Sequence, residues 1–193
     1  MIYLCSDLHF CHNKEFLYGP RGFSSIQEHD EAIVRRWNSI ITDDDIVYVL
    51  GDIMMGAGEY GITYLRQLKG QIKIIPGNHD GDRKLTEYTK LDNVEILPLS
   101  YLLKYRKKLF YLSHYPTLTS NYDDDKNVWQ RVINICGHAH TKDPFADFDK
   151  GFIYHVEMDA HNCYPVALDD IITDIRKKYD EKRNEGCLTQ SAT

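Results

Sequence analysis

The chain has no surplus of positive charge, no paired cysteines and no long apolar run, and each absence removes a class of function. Its 23 Lys and Arg face 29 Asp and Glu, a formal net charge of −6. That balance excludes the global basic field of dedicated nucleic-acid binders. A local positive surface stays open, because bound cations are often the largest charges in a site. The five cysteines (Cys5, Cys11, Cys136, Cys163, Cys187) are odd in number, scattered, and form no CxxC pair. A disulfide framework or a structural zinc site is therefore not expected, and Cys5 and Cys136, inside apolar runs, read as small core residues. No uninterrupted apolar segment approaches the roughly 20 residues that span a bilayer. The N-terminus shows no basic region followed by a long apolar stretch. The expectation is a cytoplasmic protein without a membrane partner. Internal repeats and low-complexity linkers are missing as well.

What is present suits one domain. Of 193 residues, 42% are hydrophobic, enough for a sizeable core. The domain is expected over residues 1–176, with 177–193 a polar, flexible tail. Short β-branched and aromatic runs read as strands: Ile2–Cys5, Ile46–Leu50, Ile72–Ile75, Val94–Leu97, Leu109–Leu112, Val132–Cys136 and Phe152–Met158. Ser25 and Glu28 form a capping-box pattern ahead of Ile26, Ile33, Trp37 and Ile40, which repeat at helical spacing. Further helices are expected over Glu59–Leu68, stopping at Gly70, over Asp82–Lys90 and over Asp169–Lys178. Arg106-Lys107-Lys108 reads as a basic hairpin turn, and Asn121–Asp125 as a solvated acidic loop. Strands and helices alternate early and strands dominate later, which favours a two-layer sheet core with helices outside.

The chemistry sits in five blocks, each at or just past the end of an apolar stretch: Asp7-Leu8-His9, Gly51-Asp52, Gly77-Asn78-His79-Asp80, Ser113-His114 and Gly137-His138-Ala139-His140. Any one alone is weak, and a lone histidine is more often structural than a ligand. Five in order at strand ends form the ligand set of a two-metal hydrolytic site. An ionised carboxylate offers two oxygens, so Asp52 can bridge two cations. Asp7, His9 and His140 can complete one metal, and Asn78, His114 and His138 the other. A mixed oxygen and imidazole shell suits divalent manganese first, then iron, zinc, cobalt or nickel, better than calcium or magnesium. Two ions about 3.5–4 Å apart can hold a bridging hydroxide and stabilise an in-line displacement.

This ordered series resembles the calcineurin-like metallophosphoesterase superfamily, whose pattern is D-x-H, G-D, G-N-H-D/E, H and G-H-x-H. It spans positions 7 to 140 with no ligand position missing. The resemblance implies an α/β (α+β) fold, a four-layer αββα sandwich of two mixed sheets flanked by helices, with a dinuclear site at the strand ends. It also implies that His79 contacts the phosphate and assists the leaving group instead of binding metal. Ser6–Asn13, Arg35–Asn38 and Val156–Pro165 are similar to small bacterial and phage-type phosphoesterases of unassigned substrate, which generally carry Gly where Cys11 stands.

Around these blocks, His12 either touches substrate phosphate, together with Asn78 and His79, or is a peripheral histidine. Asp80 either orients a ligand imidazole or forms a turn or caps the next helix. Arg83 and Lys84 either help attract an anionic substrate or form a solvated helix face, and His29 reads as the exposed side of the first long helix. His155 matches no ligand position; His161 is a candidate to line the pocket. The activity implied is dinuclear-metal hydrolysis of a phosphate ester by attack of a metal-bridging hydroxide. Asp52 and His79 carry the catalysis, and diesters or nucleotides rank ahead of monoesters. The alternatives are a nuclease on longer nucleic acid, which the acidic balance disfavours, and an inactive scaffold of the same fold, which would be expected to lack ligands or His79.

Overall fold

The computed structural model describes residues 1–56, 59–119 and 130–190; the expected Asn121–Asp125 loop lies outside them. The elements run β1 Ile2–Cys5, α1 Glu15–Tyr18, α2 Ile26–Ile40, β2 Ile46–Val49, α3 Glu59–Leu65, β3 Gln71–Ile74 and α4 Asp82–Tyr88. They continue with β4 Val94–Ile96, β5 Ser100–Tyr105, β6 Lys108–Ser113, β7 Val132–Cys136, α5 Phe148–Gly151, β8 Ile153–His155, β9 Val166–Ala167 and α6 Leu168–Gln190.

Two mixed sheets result. The first has the order β4-β3-β2-β1-β9, parallel except for antiparallel β9; the second has the order β5-β6-β7-β8, parallel except for β5. Successive residues of a strand point to opposite faces, and here both faces are apolar because both are covered. Tyr3, Cys5, Val47, Val49, Ile72 and Ile74 meet Ile33 and Trp37 of α2, Leu65 of α3 and Tyr88 of α4. Leu4, Tyr48 and Leu50 turn the other way, onto Phe110, Leu112, Ile133 and Ile135 of the second sheet and Ile171 and Ile175 of α6. The α/β class, with two mixed sheets flanked by helices, is thus met. All parallel strands of the first sheet deliver their C-terminal ends, and the loops that follow, to one edge of the sandwich, where ligands gather in open α/β sheets.

Local chemistry explains several boundaries. Ser25 caps α2, its Oγ accepting from the Glu28 N–H at 3.2 Å, while the Glu28 carboxylate reaches the N–H of Ser24 instead of that of Ser25. The β5–β6 hairpin turns through Arg106 and Lys107, both at positive φ (48° and 65°), the two-residue turn whose twist matches its strands. Helix α3 stops at Leu65, earlier than expected; tight turns then carry the chain to Gly70.

One expectation is corrected. His29 is fully buried, not exposed: 26, 29, 30, 33 and 37 form one helical stripe, so His29 and Asp30 share the inward face with Ile33 and Trp37. Helix α6 runs on through residues 177–190, within the segment expected as a polar tail. The continuation is held where Tyr179 packs on the inter-sheet core and Lys182 lies over the Phe148 ring at 5.4 Å. No helix among the described residues is long and apolar enough to cross a membrane.

Candidate metal centre

Five of the seven expected ligands sit in left-handed backbone: Asp7 (φ 58°), His9 (51°), Asp52 (58°), His138 (74°) and His140 (49°). Non-glycine residues adopt this region at a cost, and such outliers collect at functional sites. Cys11 is a sixth, at φ 62°. There an L side chain stands in backbone geometry that glycine adopts without strain. Two glycines make the close packing possible. A Cβ on Gly51 would lie 2.5 Å from the Gly77 nitrogen, and one on Gly77 would lie 2.8 Å from the Asp52 nitrogen and closer still to its carboxylate.

The side chains converge at two points. At the first, His9 Nε2 and His140 Nε2 are 3.1 Å apart, and Asp7 Oδ1 is 3.5 Å from the former and 3.6 Å from the latter. At the second, His114 Nε2 is 2.9 Å from Asn78 Oδ1 and 3.6 Å from Asp52 Oδ2. Asp52 Oδ2 is also 3.7 Å from His9 Nε2, so one oxygen faces both points, while Oδ1 accepts the His79 N–H at 2.9 Å. Asp7-His9-His140 and Asp7-Asp52-His114 each gather their donor atoms within 4.8 Å. His138 stands farther out: its N–H donates to Asp7 Oδ2 at 2.9 Å, and its ring packs 5.0 Å from that of His114 and 4.6 Å from that of Tyr115.

Hydrogen placement shows that these points fit cations. His114 Nδ1 faces the Leu50 carbonyl at 2.8 Å and His140 Nδ1 faces the Asp159 carboxylate at 3.0 Å. Each Nδ1 therefore carries the hydrogen, which leaves a bare lone pair on Nε2 of the neutral ring. Lone pairs of His140, His114, Asn78, Asp7 and Asp52 thus point at one another, and buried Asp7 Oδ1 has no hydrogen-bond partner. Ligands about 2.1 Å from an ion lie about 3 Å from each other at right angles and about 3.4 Å at the tetrahedral angle, and the donor atoms here are 2.9–3.7 Å apart. The donor set is that of a borderline divalent ion.

Electrostatics agree. Burial pushes the Asp7 carboxyl up, but the adjacent His9 imidazole and those of His140 and His114 overcome it and leave a pKa of about 2. Burial lowers the His140 imidazole, yet its bond to Asp159 and the nearby Asp7 raise it above the ordinary value. His138 is lowered by burial and by His114.

His79 stands at the mouth, 39% exposed, its Nε2 3.9 Å from Asp52 Oδ2. His12 lies beside it, 5.3 Å from the His9 ring; burial and the neighbouring His9 and His79 push its pKa down to about 4. Asp80 reaches no imidazole: its carboxylate accepts from the N–H of Asp52, Ile53 and Gly77 (2.6, 3.1 and 3.0 Å) and from the Tyr88 hydroxyl (3.0 Å), bracing the loops. Lys84 is not a solvated helix side chain, because its ammonium donates to the carbonyls of Met54 and His79 at 2.6 and 2.7 Å. His161 donates to the His155 carbonyl and stacks on Tyr154, away from the centre. His155 bridges Glu157 and Asp147, and Glu157 accepts the Ala139 N–H of the GHAH loop. Sequence reasoning missed Asp159 and Arg21, which lie 138 positions apart in the chain.

The profile of the calcineurin-like phosphoesterases matches residues 1–182. The chain belongs to this family. An uncharacterized protein of Methanocaldococcus jannaschii is 32% identical over 180 residues, covering 91% of this chain and 92% of that protein. The gene 66 protein of Mycobacterium phage L5 is 27% identical over 158 residues, 70% of this chain and 75% of its own. The crystal structure of a protein of unknown function from Aquifex aeolicus is similar in fold, with a TM-score of 0.68 at 23% identity, covering 90% of this phosphoesterase-family chain and 98% of that one.

Proposed function

We propose that this calcineurin-like protein is a dinuclear-metal phosphoesterase, with phosphodiesters or nucleotides ahead of monoesters as substrates and manganese as the preferred ion. The observation that carries the reading is the pair of convergence points sharing Asp52 Oδ2, with the imidazole hydrogens used elsewhere. Asp7, His9 and His140 would hold one ion, Asn78, His114 and His138 the other, and Asp52 both. Bound there, two divalent ions supply an activated water and offset charge on the phosphoryl oxygens.

The chain's own groups do the rest. His79, partly exposed beside Asp52, donates a proton from Nε2 to the departing ester oxygen, a contribution typically worth about 10²–10⁴-fold. The Asn78 amide, its oxygen turned inward to His114, presents its NH₂ to a phosphoryl oxygen. His12, held neutral, borders the same opening. Asp80, with Lys84 beneath His79, keeps the loops from shifting as charge develops. The acidic chain favours a small phosphate ester over long nucleic acid.

Chelated protein reloaded with manganese should carry two ions per chain by elemental analysis, and should hydrolyse bis-nitrophenyl phosphate faster than nitrophenyl phosphate. A single ion under saturating manganese, or full activity after exhaustive chelation, would sink the reading.

A further inference from the structure

We infer that Asp159, clamped by Arg21, is a positioning residue for the half of the centre made by Asp7, His9 and His140. The inference rests on His140 being a metal ligand, as proposed above.

Asp159 follows β8 and accepts from His140 Nδ1 at 3.0 Å. A carboxylate on the far nitrogen of an imidazole fixes both its tautomer and its ring plane. Nε2 is thereby left bare, 3.1 Å from His9 Nε2 and 3.6 Å from Asp7 Oδ1. Asp159 is itself locked. Arg21 donates to it through both Nε and a terminal nitrogen, at 3.1 and 2.7 Å, in the two-bond geometry that suits a guanidinium to a carboxylate. The side chains are nearly closed to solvent, Arg21 at 1% and Asp159 at 7% exposure.

The clamp reaches further. The terminal nitrogen of Arg21 that holds Asp159 also donates to the Asp7 carbonyl at 2.9 Å. The other terminal nitrogen donates to His29 Nε2 at 2.9 Å. His29 passes its Nδ1–H to Asp30 at 2.7 Å, and the second Asp30 oxygen accepts the Cys11 N–H at 2.8 Å. One chain of bonds therefore grips His140 by its ring and the Asp7–Cys11 loop at both ends, and that loop carries Asp7 and His9. The loop residues at positive φ need such a brace. At the other point, His114 is oriented by the Leu50 carbonyl, a neutral backbone group, so the buried ionic brace belongs to one half.

The test is manganese binding to chelated protein by calorimetry, read as two steps. Asp159→Asn should weaken one step about 10–100-fold, the usual effect of losing such an outer partner, and leave the other step within about twofold. Two ions should still bind at saturation. Because Asp159→Asn strands the Arg21 cation, the paired variant Arg21→Gln/Asp159→Asn is measured beside it, with the same selective loss expected. Nitrogen-15 histidine spectra of the wild-type metal-free protein give a readout that depends on no variant. His140, assigned by the peaks missing in His140→Ala, should carry its hydrogen on Nδ1. A hydrogen on Nε2, variants that bind both ions as wild type does, or equal weakening of both steps would each overturn the inference. Fewer than two ions on the wild type would instead overturn the metal reading beneath it.

Discussion

The loops of the first sheet and those of the second reach the same point by different means. On the first side, Asp7, His9, Asp52 and Asn78 sit on loops locked backbone against backbone. Gly51 presses on Gly77, and the Asp80 carboxylate gathers three N–H groups into one knot. On the second side the imidazoles are steered by groups outside their own sheet. The Leu50 carbonyl turns His114, Asp7 accepts the His138 N–H, and Asp159 turns His140. The first half is thus a cradle of main-chain contacts braced by the buried Asp80 and Arg21 side chains, and the second takes the orientation of His114 from it and that of His140 from Asp159. Damage to the first should spread to both ions, whereas damage to the second should stay local.

The largest effects break the comparison at its centre. Asp52→Asn, at the oxygen that faces both points, should weaken both ions and nearly abolish turnover, checked by kcat together with metal content. His79→Ala shares the same loop system but touches neither point. It should keep near-normal metal while losing about 10²–10⁴-fold in rate. The loss should shrink for a nitrophenolate leaving group, which needs little protonation. Loss of metal in His79→Ala would remove it from the proton-donor role, and equal slowing of good and poor leaving groups would make it a phosphate-positioning group.

Gly77→Ala probes the cradle without removing a ligand. Its Cβ would come within 2.8 Å of the Asp52 nitrogen and 2.9 Å of His114 Cε1. Crowding of this kind costs about 1–3 kcal/mol, and here it displaces the shared carboxylate. The melting temperature of chelated protein should fall, and both manganese steps should weaken together, in contrast to the one-step loss expected of Asp159→Asn. A selective loss in Gly77→Ala would mean that the two halves are independent.

These contrasts follow what the sequence made legible. The candidate ligands could be read because the chemistry admits few residue types, placed at the ends of apolar runs. The stripe 26, 29, 30, 33 and 37 likewise held the burial of His29 in plain spacing, obscured by the usual exposure of histidine. Arg21 and Asp159 gave no local signal: each is one charged residue in a loop, and only the folded chain brings them together. Elements such as α1, α5 and β9 are too short to show a period. The expected strand Phe152–Met158 shortens to Ile153–His155, beyond which Glu157 leaves the sheet to bridge Ser6.

A smaller effect sharpens the second side. Burial opposes it, but the Asp159 bond and the Asp7 charge raise the His140 pKa above its unfolded value. The protonated ring therefore stabilises metal-free protein fully below about pH 6.5, and that contribution is lost as pH rises through the folded value. A metal ion competes for the same nitrogen. Manganese affinity should climb with pH through this window, by at most about tenfold per unit for one released proton. Asp159→Asn, which removes the leading cause of the rise, should move the climb to lower pH. An unshifted profile would take His140 out of the competition.

The smallest effect tests whether the Cys11 side chain takes part in holding the first-side loop. Cys11 occupies left-handed backbone at φ 62°, where an L side chain costs roughly 1–2 kcal/mol. Its N–H donates to Asp30, a bond that glycine would keep, and its thiol also hydrogen-bonds the Asp30 carboxylate, a bond that glycine would lose. Burial and the Asp30 charge push its thiol up to about 11, so it is protonated and unreactive at neutral pH. Cys11→Gly should relieve the backbone strain while loosening the unfolded chain by roughly 0.4–1 kcal/mol and giving up the thiol bond to Asp30, worth about 0.5–1.5 kcal/mol. The net gain is up to about 1 kcal/mol, or a melting rise of about 2–4 °C for a chain of this size. Both manganese steps should be unmoved. A fall in melting temperature would show that the half-buried thiol contributes packing that outweighs its strain, and a change in metal binding would show that the loop is held through its side chain after all.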